Sequence, residues 1–169
     1  MSNVLARRRV PLGFVAAALT FALAHPSWQT WRAGLLIALA GACFRIWAAG
    51  HLEKGREVTR SGPYRLMRHP LYAGSTVIAL GIAVASRSLA ASAIAVLYMG
   101  LTIAAAVRAE EAQLRQAFGS TYDDYQASRA EPMRRSFSLA RAIRNREHRA
   151  VVGLLSGFAL LALKVAAGR

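Results

Sequence analysis

Apolar residues in this chain form long blocks separated by polar segments. A helix that crosses a bilayer needs about 20 predominantly apolar residues, and some spans are a few residues shorter. The pattern therefore predicts an all-α, polytopic membrane protein with about five transmembrane helices, in a single domain that covers residues 1–169. The blocks run over about residues 10–24, 33–50, 71–85, 89–107 and 150–167.

The first block is short for a span and has two interpretations. Arginines at positions 7–9 before it, and Ala22-Leu23-Ala24 at its end, also resemble a signal peptide with a cleavage site. Trp28 and Trp31 follow where aromatic side chains anchor helices at the membrane interface. These tryptophans favour a retained span.

The positive charges predict the orientation of the chain. Its formal net charge is +14, and Lys and Arg cluster before the first block, between residues 54 and 68, and between residues 108 and 149. Alternating spans place these segments on one side, which the positive-inside rule makes cytoplasmic. A nucleic-acid-binding surface would not skip every second connection, so we expect no nucleic-acid partner. We expect a prokaryotic plasma (inner) membrane location, with the N-terminus in the cytoplasm and membrane lipids around the chain.

Small residues predict where helices approach each other closely. Gly34, Ala38 and Gly41 mark the second block, and Ser86-Arg87-Ser88 predicts a tight hairpin between the third and fourth. Gly153 and Gly157 predict that the last helix packs against another helix, either of this chain or of a second copy in a homodimer. The last block, about residues 150–167, could span the membrane or lie in its interface.

After Val107 the pattern becomes amphipathic. Glu110, Leu114 and Phe118 share one helix face. Gly119 is placed to end this helix. Glu111 is expected to pair with Arg115 on a neighbouring, wetter stripe.

Two polar segments meet at the predicted cytoplasmic face: residues 50–70 and the helix that begins near Arg108. Pro70 suits a first helical turn, whose free N–H groups favour a carboxylate. Tyr64, Arg68 and His69 lie close by as further donors. The segments predict a polar pocket for a compact zwitterion, such as the methionine moiety of S-adenosylmethionine.

Glu110 supplies the opposite charge, because a carboxylate on an apolar membrane-level face is a functional-site hypothesis by default. The alternative is a structural ion pair with Arg68 or Arg45. Arg45 either snorkels to the headgroups or takes part in the site.

The motifs together resemble the isoprenylcysteine carboxyl methyltransferases and the related phospholipid N-methyltransferases. The resemblance covers about residues 50–132 and implies a helical membrane enzyme that uses S-adenosylmethionine. It rests on motifs in a fixed order: Gly62-Pro63-Tyr64, Arg68-His69-Pro70-Leu71-Tyr72-Ala73-Gly74, a hydrophobic hairpin, Glu110-Glu111, Leu114, Phe118-Gly119, Tyr122 and Tyr125.

The resemblance also implies a donor pocket closed by the C-terminal part of the motif region. By position, the donor-binding residues are Arg56, Glu57, Val58, Thr59, Tyr64, His69, Pro70, Leu71, Tyr72 and Glu110. Prenylcysteine enzymes carry a substrate-side arginine at a position that is Ala106 here, with Arg108 nearby. Arg45 and Arg108 are the candidates for substrate binding.

The implied reaction is methyl transfer to a lipid-like or prenylated acceptor from the bilayer, most like isoprenylcysteine carboxyl methylation. The alternatives are N-methylation of a phospholipid or small apolar amine, and a non-catalytic scaffold that retains the fold. No catalytic residue is assigned, because in-line displacement mainly requires positioning. A metal is not expected: Cys43 is the single cysteine, and His51, Glu53 and His69 match no known ligand spacing.

Overall fold

The computed structural model describes residues 2–168, with side chains described from residue 11 onward, so the side chains of Arg7–Arg9 lie outside the described part. The described chain is all-helical, as predicted, and contains no strand. A short 3₁₀ turn, Gly62–Arg65, lies between the second and third helices. The α-helices are α1 Ser2–Leu23, α2 Trp28–Ala49, α3 Pro70–Ser86, α4 Leu89–Phe118, α5 Ser120–Gln126, α6 Leu139–Arg144 and α7 Glu147–Ala166.

Three of the described helices, α2, α4 and α7, are long and apolar enough to cross a membrane. Helix α3 and the Pro11–Leu23 part of α1 are shorter apolar helices that pack with them. The molecule is a helical integral membrane protein, as the blocks predicted. Whether α1 is retained in the mature protein stays a prediction.

The bundle has a short-turn end and a polar end. At the short-turn end, His25 N–H donates to the Ser86 carbonyl over 2.8 Å and joins the α1–α2 and α3–α4 connections. The polar end contains residues 50–69 and 119–146, which contact each other. The two predicted cytoplasmic segments therefore lie at one end. Its assignment to the cytoplasm rests on charge and stays a prediction.

Helix α7 runs the whole length of the bundle. Its first residue, Glu147, contacts Arg45 near the polar end of α2. Near its other end, Lys164 Nζ donates to the Phe21 and Ala22 carbonyls over 2.7 and 3.0 Å. Because α7 contacts α2 at the polar end of the bundle and α1 at the short-turn end, it lies alongside the other apolar helices. This position favours a membrane span over an interfacial helix.

Helices α2 and α3 approach each other through paired glycines. A Cβ built at Gly81 would lie 2.6 Å from the Gly34 carbonyl oxygen, and one built at Gly41 would lie 2.7 Å from the Gly74 carbonyl oxygen. Real Cβ atoms do not come this close to a backbone oxygen, so the helices meet backbone to backbone. The predicted role of Gly34 and Gly41 is confirmed.

The α3–α4 hairpin turns at Arg87, which has a left-handed φ of 48°, and Ser88 Oγ accepts from the Ala91 N–H at the start of α4. The predicted fourth block and amphipathic helix are one continuous helix of 30 residues that ends at Gly119. At 1.5 Å per residue, α4 is about 45 Å long and exceeds the roughly 30 Å hydrocarbon core. Its last turns therefore belong to the polar end.

The expectation that Gly153 and Gly157 pack against another helix of this chain is wrong for the described residues. A Cβ built at either glycine would have no neighbouring atom within 4 Å. Helix α7 instead packs on α2 through larger side chains, including Phe158, whose carbonyl accepts from Trp31 Nε1 over 2.8 Å. The glycines face an apolar cleft between α7, α1 and α4. Contact with a second copy stays a prediction.

Gly41→Ala should destabilise the protein by about 1–3 kcal/mol, because the new methyl group would overlap the α3 backbone. Gly100→Ala is the matched control, since a Cβ there meets open space. It should be neutral or stabilise by up to about 1 kcal/mol. Thermal melting in detergent measures both. Equal melting temperatures for the two variants would contradict the close contact of α2 and α3.

Candidate functional site

The loop after α2 is held by a C-terminal segment, residues 133–147, which we call the strap. Arg141 Nε donates to Glu53 Oε1 over 2.8 Å, and Arg135 Nη2 donates to Glu57 Oε2 over 2.8 Å. Arg144 also reaches Glu53 at 3.2 Å. The hydrogen bond from Arg141 is the main cause that lowers the pKa of Glu53 below its usual value. The strap thus neutralises both carboxylates of the loop.

The strap also covers the carbonyl groups at the C-terminal end of α2, which have no partners within the helix. Asn145 Nδ2 donates to the Ala49 and Leu52 carbonyls, each over 2.9 Å. The Gly50 carbonyl accepts from the Ser138 N–H and from Arg141 Nη1. Basic side chains near this negative helix end are electrostatically favourable.

The predicted donor-binding stretch 56–59 is ordered by these contacts. Arg56 is exposed, whereas Val58 and Thr59 are buried. Thr59 Oγ1 accepts from the Glu53 N–H over 3.2 Å. Glu57 is the residue of the stretch that pairs with Arg135. The donor-binding role of the stretch stays a prediction.

His69 lies at the start of α3 and contacts the end of α4. Its Nε2 is 3.1 Å from Glu111 Oε1, and Arg68 Nη1 lies 3.8 Å from the same oxygen. The predicted Glu111–Arg115 pair is wrong. Arg115 contacts α5 instead, through Asp123 at 3.5 Å and a side-chain hydrogen bond to Gln126. The reason is tertiary: α3 packs along the Glu111 face of α4, and α5 folds back beside Arg115.

Glu110 lies next to this contact and differs from Glu111. It is half-buried, and among the described side chains it forms no hydrogen bond and no ion pair. The alternative of a structural pair with Arg68 or Arg45 is wrong, because those residues pair with Glu111 and Glu147. A half-buried carboxylate without a partner among the described side chains marks a candidate ligand site in this region.

Tyr64 connects Glu110 to the rest of the site. Burial, and after it the charge of Glu110, raises the pKa of the Tyr64 phenol far above its usual value. The Tyr64 carbonyl accepts from the Tyr125 hydroxyl over 2.7 Å, which joins α5 to the 3₁₀ turn. Burial, followed by the charge of Tyr122, raises the pKa of Tyr125 to about 12. Both phenols are therefore neutral hydrogen-bonding groups at physiological pH.

A cavity of about 720 Å³, which we call the polar cavity, opens between the loop after α2 and the chain that follows α5. Its wall combines aromatic rings with basic side chains and contains no carboxylate. Buried Arg60 Nε has no hydrogen-bond partner within the described chain. The lining residues are Trp47, His51, Arg60, Gly62, Tyr64, Arg65, Leu66, Tyr125, Ser128, Ala130, Pro132 and Arg135.

Tyr64 is the predicted donor-binding residue that lines this cavity. His69, Pro70, Leu71 and Tyr72 begin α3, and with Glu110 they lie outside the residues that line it. The structure thus brings the predicted residues to one end of the bundle in two groups. Tyr64 lines the cavity, and the charge of Glu110 is the second cause that raises the pKa of its phenol.

The expectation that Arg45 snorkels is wrong. Its Nε and Nη2 donate to the two carboxylate oxygens of Glu147 over 3.0 and 2.8 Å. Its Nη1 donates to the Leu71 carbonyl over 3.2 Å and to Ser75 Oγ. Arg108 is exposed. Substrate binding by Arg45 and Arg108 stays a prediction.

The three residues considered as metal ligands have other partners. His51 Nδ1 lies 3.2 Å from Ser61 Oγ, Glu53 pairs with Arg141, and His69 contacts Glu111. Among the described residues, no group of three or more His, Cys, Asp or Glu is placed to hold a metal ion.

Comparison with known proteins shows which family the residues of this site are similar to. Residues 44–121, which include the polar loop, the α3–α4 hairpin and both glutamates, match the phospholipid methyltransferase family. This segment is similar to the membrane methyltransferases of that family. The resemblance predicted from the sequence is thereby confirmed. The strap and α7 lie outside the matched segment.

Two curated relatives of this chain carry names that refer to metal resistance. The cobalt-zinc-cadmium resistance protein CzcN of Cupriavidus metallidurans is 35% identical over 119 residues, which cover 65% of this chain and 54% of the relative. The nickel-cobalt-cadmium resistance protein NccN of Alcaligenes xylosoxydans xylosoxydans is 31% identical over 110 residues, which cover 60% and 51%. The chain spans about half the length of these relatives. No solved structure matches it significantly.

The stability of the polar end should depend on the protonation of His51. This ring is buried, and burial, followed by the charges of Arg141 and Arg135, lowers its pKa below 6.5. The unfolded chain binds this proton more readily than the folded protein does. The contribution of neutral His51 to stability is therefore fully present above about pH 6.5 and is lost as the pH falls through the lower pKa of the folded state. Thermal melting of the wild type between pH 7.5 and 5 should show this loss.

His51→Gln should have a shallower pH dependence of the melting temperature over the same range. His148→Gln is the control, since His148 is exposed. It should retain the wild-type pH dependence. The same slope in His51→Gln as in the wild type would show that His51 does not titrate as described.

Proposed function

We propose that this protein transfers a methyl group from S-adenosylmethionine to a lipid-like acceptor at the polar end of the bundle, on the cytoplasmic face. The observation that carries the proposal is the half-buried Glu110 carboxylate, which has no hydrogen-bond or ion-pair partner among the described side chains and lies in the segment that matches a membrane methyltransferase family. A half-buried carboxylate of this kind fits a cationic ligand.

The side chains at the polar end fit the chemical groups of the donor. Trp47, Tyr64 and Tyr125 offer aromatic surface for an adenine ring. Arg60, whose buried Nε lacks a partner among the described residues, offers a charged donor for a carboxylate. Glu110 offers the negative charge for an ammonium or sulfonium group. The cavity is also large enough, because small-molecule sites usually occupy about 300–1000 Å³.

When bound, the donor supplies an electrophilic methyl group on a sulfonium that is already a good leaving group. The work left to the protein is positioning and exclusion of water. Glu110 and Tyr64 would orient the donor, while the strap and Tyr125 hold the loop and the 3₁₀ turn in place. Neutral Tyr64 can donate a hydrogen bond without adding a second negative charge beside Glu110.

The acceptor would enter from the bilayer, between apolar helix surfaces. A carboxylate of the isoprenylcysteine type needs no base, whereas an amine must first lose a proton. Ala106 occupies the position at which the prenylcysteine enzymes have a substrate-side arginine. The family that matches residues 44–121 is the phospholipid methyltransferase family. These two observations favour N-methylation of a phospholipid amine as the second candidate reaction.

A non-catalytic scaffold is the rival from another class, and the relatives' resistance names describe no reaction. Calorimetry of the purified protein with S-adenosylmethionine separates the two, since a methyltransferase must bind the donor. Incubation with methyl-labelled donor and lipid extract, followed by mass spectrometry, then identifies the acceptor. Base would hydrolyse a labelled methyl ester and release the label as methanol, whereas a labelled N-methyl group would stay on the lipid. Absence of donor binding by the folded protein would overturn the proposed function.

Glu110→Gln should weaken donor binding by about one to two decades, because a charge-assisted contact is worth roughly 1.5–3 kcal/mol. Glu111→Gln is the matched control, because its amide oxygen can still accept from His69. Its loss of affinity should be smaller. Calorimetry in detergent measures both variants, with thermal melting to check folding. A larger loss for Glu111→Gln would show that Glu110 does not contact the donor.

A further inference from the structure

Helix α7 is joined to α2 by an ion pair with little exposure to solvent. Both carboxylate oxygens of Glu147 accept from the Arg45 guanidinium, over 2.8 and 3.0 Å. The Glu147 side chain is 8% exposed and that of Arg45 is 19% exposed. A two-point contact of this kind fixes the orientation of the planar guanidinium as well as its position.

The fixed guanidinium also reaches the first turn of α3. Arg45 Nη1 donates to the Leu71 carbonyl over 3.2 Å and to Ser75 Oγ. Ser75 Oγ in turn donates to the same carbonyl over 2.9 Å. Leu71 lies within the run His69–Tyr72 that begins α3. The ion pair therefore has a direct contact with the predicted donor-binding segment.

Gly74 makes this contact possible. A Cβ built at Gly74 would lie 2.5 Å from Arg45 Cγ, so the stem of the arginine crosses α3 where that helix has no side chain. Any larger residue at this position would push the guanidinium away from Leu71. Three elements therefore meet at one point: the start of α7, the polar end of α2 and the first turn of α3.

We propose that Glu147 and Arg45 are positioning residues for the donor site, with α7 holding the first turn of α3 through them. The proposal rests on the proposed function, because it assumes that this turn binds the donor. It gives a role to a helix that lies outside the family-matched segment 44–121. It also gives Arg45 a task other than contact with the substrate.

A purely structural ion pair and a positioning ion pair respond differently to replacement by apolar residues. Well-packed apolar side chains often restore or increase the stability that a buried ion pair provides. They cannot donate a hydrogen bond to the Leu71 carbonyl. The double variant Arg45→Met/Glu147→Leu therefore separates stability from positioning.

The test measures the thermal melting temperature without donor and the Kd for S-adenosylmethionine by calorimetry. Glu147→Gln should melt earlier and bind the donor about tenfold more weakly, because a displaced first turn of α3 would lose about one charge-assisted contact with the donor. The double variant should recover most of the melting temperature but not the affinity. Trp31→Phe is the control, because it removes the hydrogen bond to α7 away from the site. It should lower the melting temperature and leave Kd unchanged.

Wild-type donor affinity in the folded double variant would overturn the positioning role. If the double variant does not fold, Glu147→Gln is compared with Trp31→Phe, and equal donor affinities would overturn the role in the same way. A wild-type protein that binds no donor would overturn the proposed function itself. Donor binding by the wild type, with unchanged binding by the variants, would overturn only the positioning of α3 by α7.

Discussion

The rest of the structure depends on the backbone contact between α2 and α3. Gly34 meets Gly81 and Gly41 meets Gly74, two turns apart on each helix, so the antiparallel pair has one register. That register places Gly74 under the stem of Arg45 and the first turn of α3 beside the guanidinium. Without a side chain at these glycines the helices come close enough for hydrogen bonds between a side chain and a backbone carbonyl. A wider separation would remove the connection between α7 and α3.

The second organising constraint is the scarcity of negative charge. The chain has 8 acidic and 22 basic residues, so a carboxylate near the bundle readily finds an arginine. Glu53, Glu57, Glu111 and Glu147 all do so. Glu110 is half-buried and has no such partner among the described side chains. In a chain with so many cations, a carboxylate kept apart from them is available for a cationic ligand.

The strap and α7 lie outside the family-matched segment and contribute side chains to the polar end of the bundle. The matched residues 44–121 supply the loop, the start of α3 and the two glutamates. Residues after them supply Tyr125, which holds Tyr64, and the arginines that hold the loop. These arginines stand in the basic segment that the sequence could not assign. The sequence contained one indication of this role: many arginines follow Arg129, and two carboxylates lie in the distant loop after α2.

The sequence by itself determined the apolar helices, the helix ends at Pro70 and Gly119, and the resemblance to the membrane methyltransferases. Block length and hydropathy predicted the spans, Pro70 and Gly119 marked helix ends, and the charge bias placed both polar segments at one end. Local rules suffice for these features because each depends on neighbours along the chain. Only the tertiary structure decided which side chains meet: Glu111 with His69 rather than Arg115, Arg45 with Glu147, and Phe158 rather than Gly153 or Gly157 on α2. Such pairs depend on the rotation and register of packed helices, which spacing within one helix does not specify.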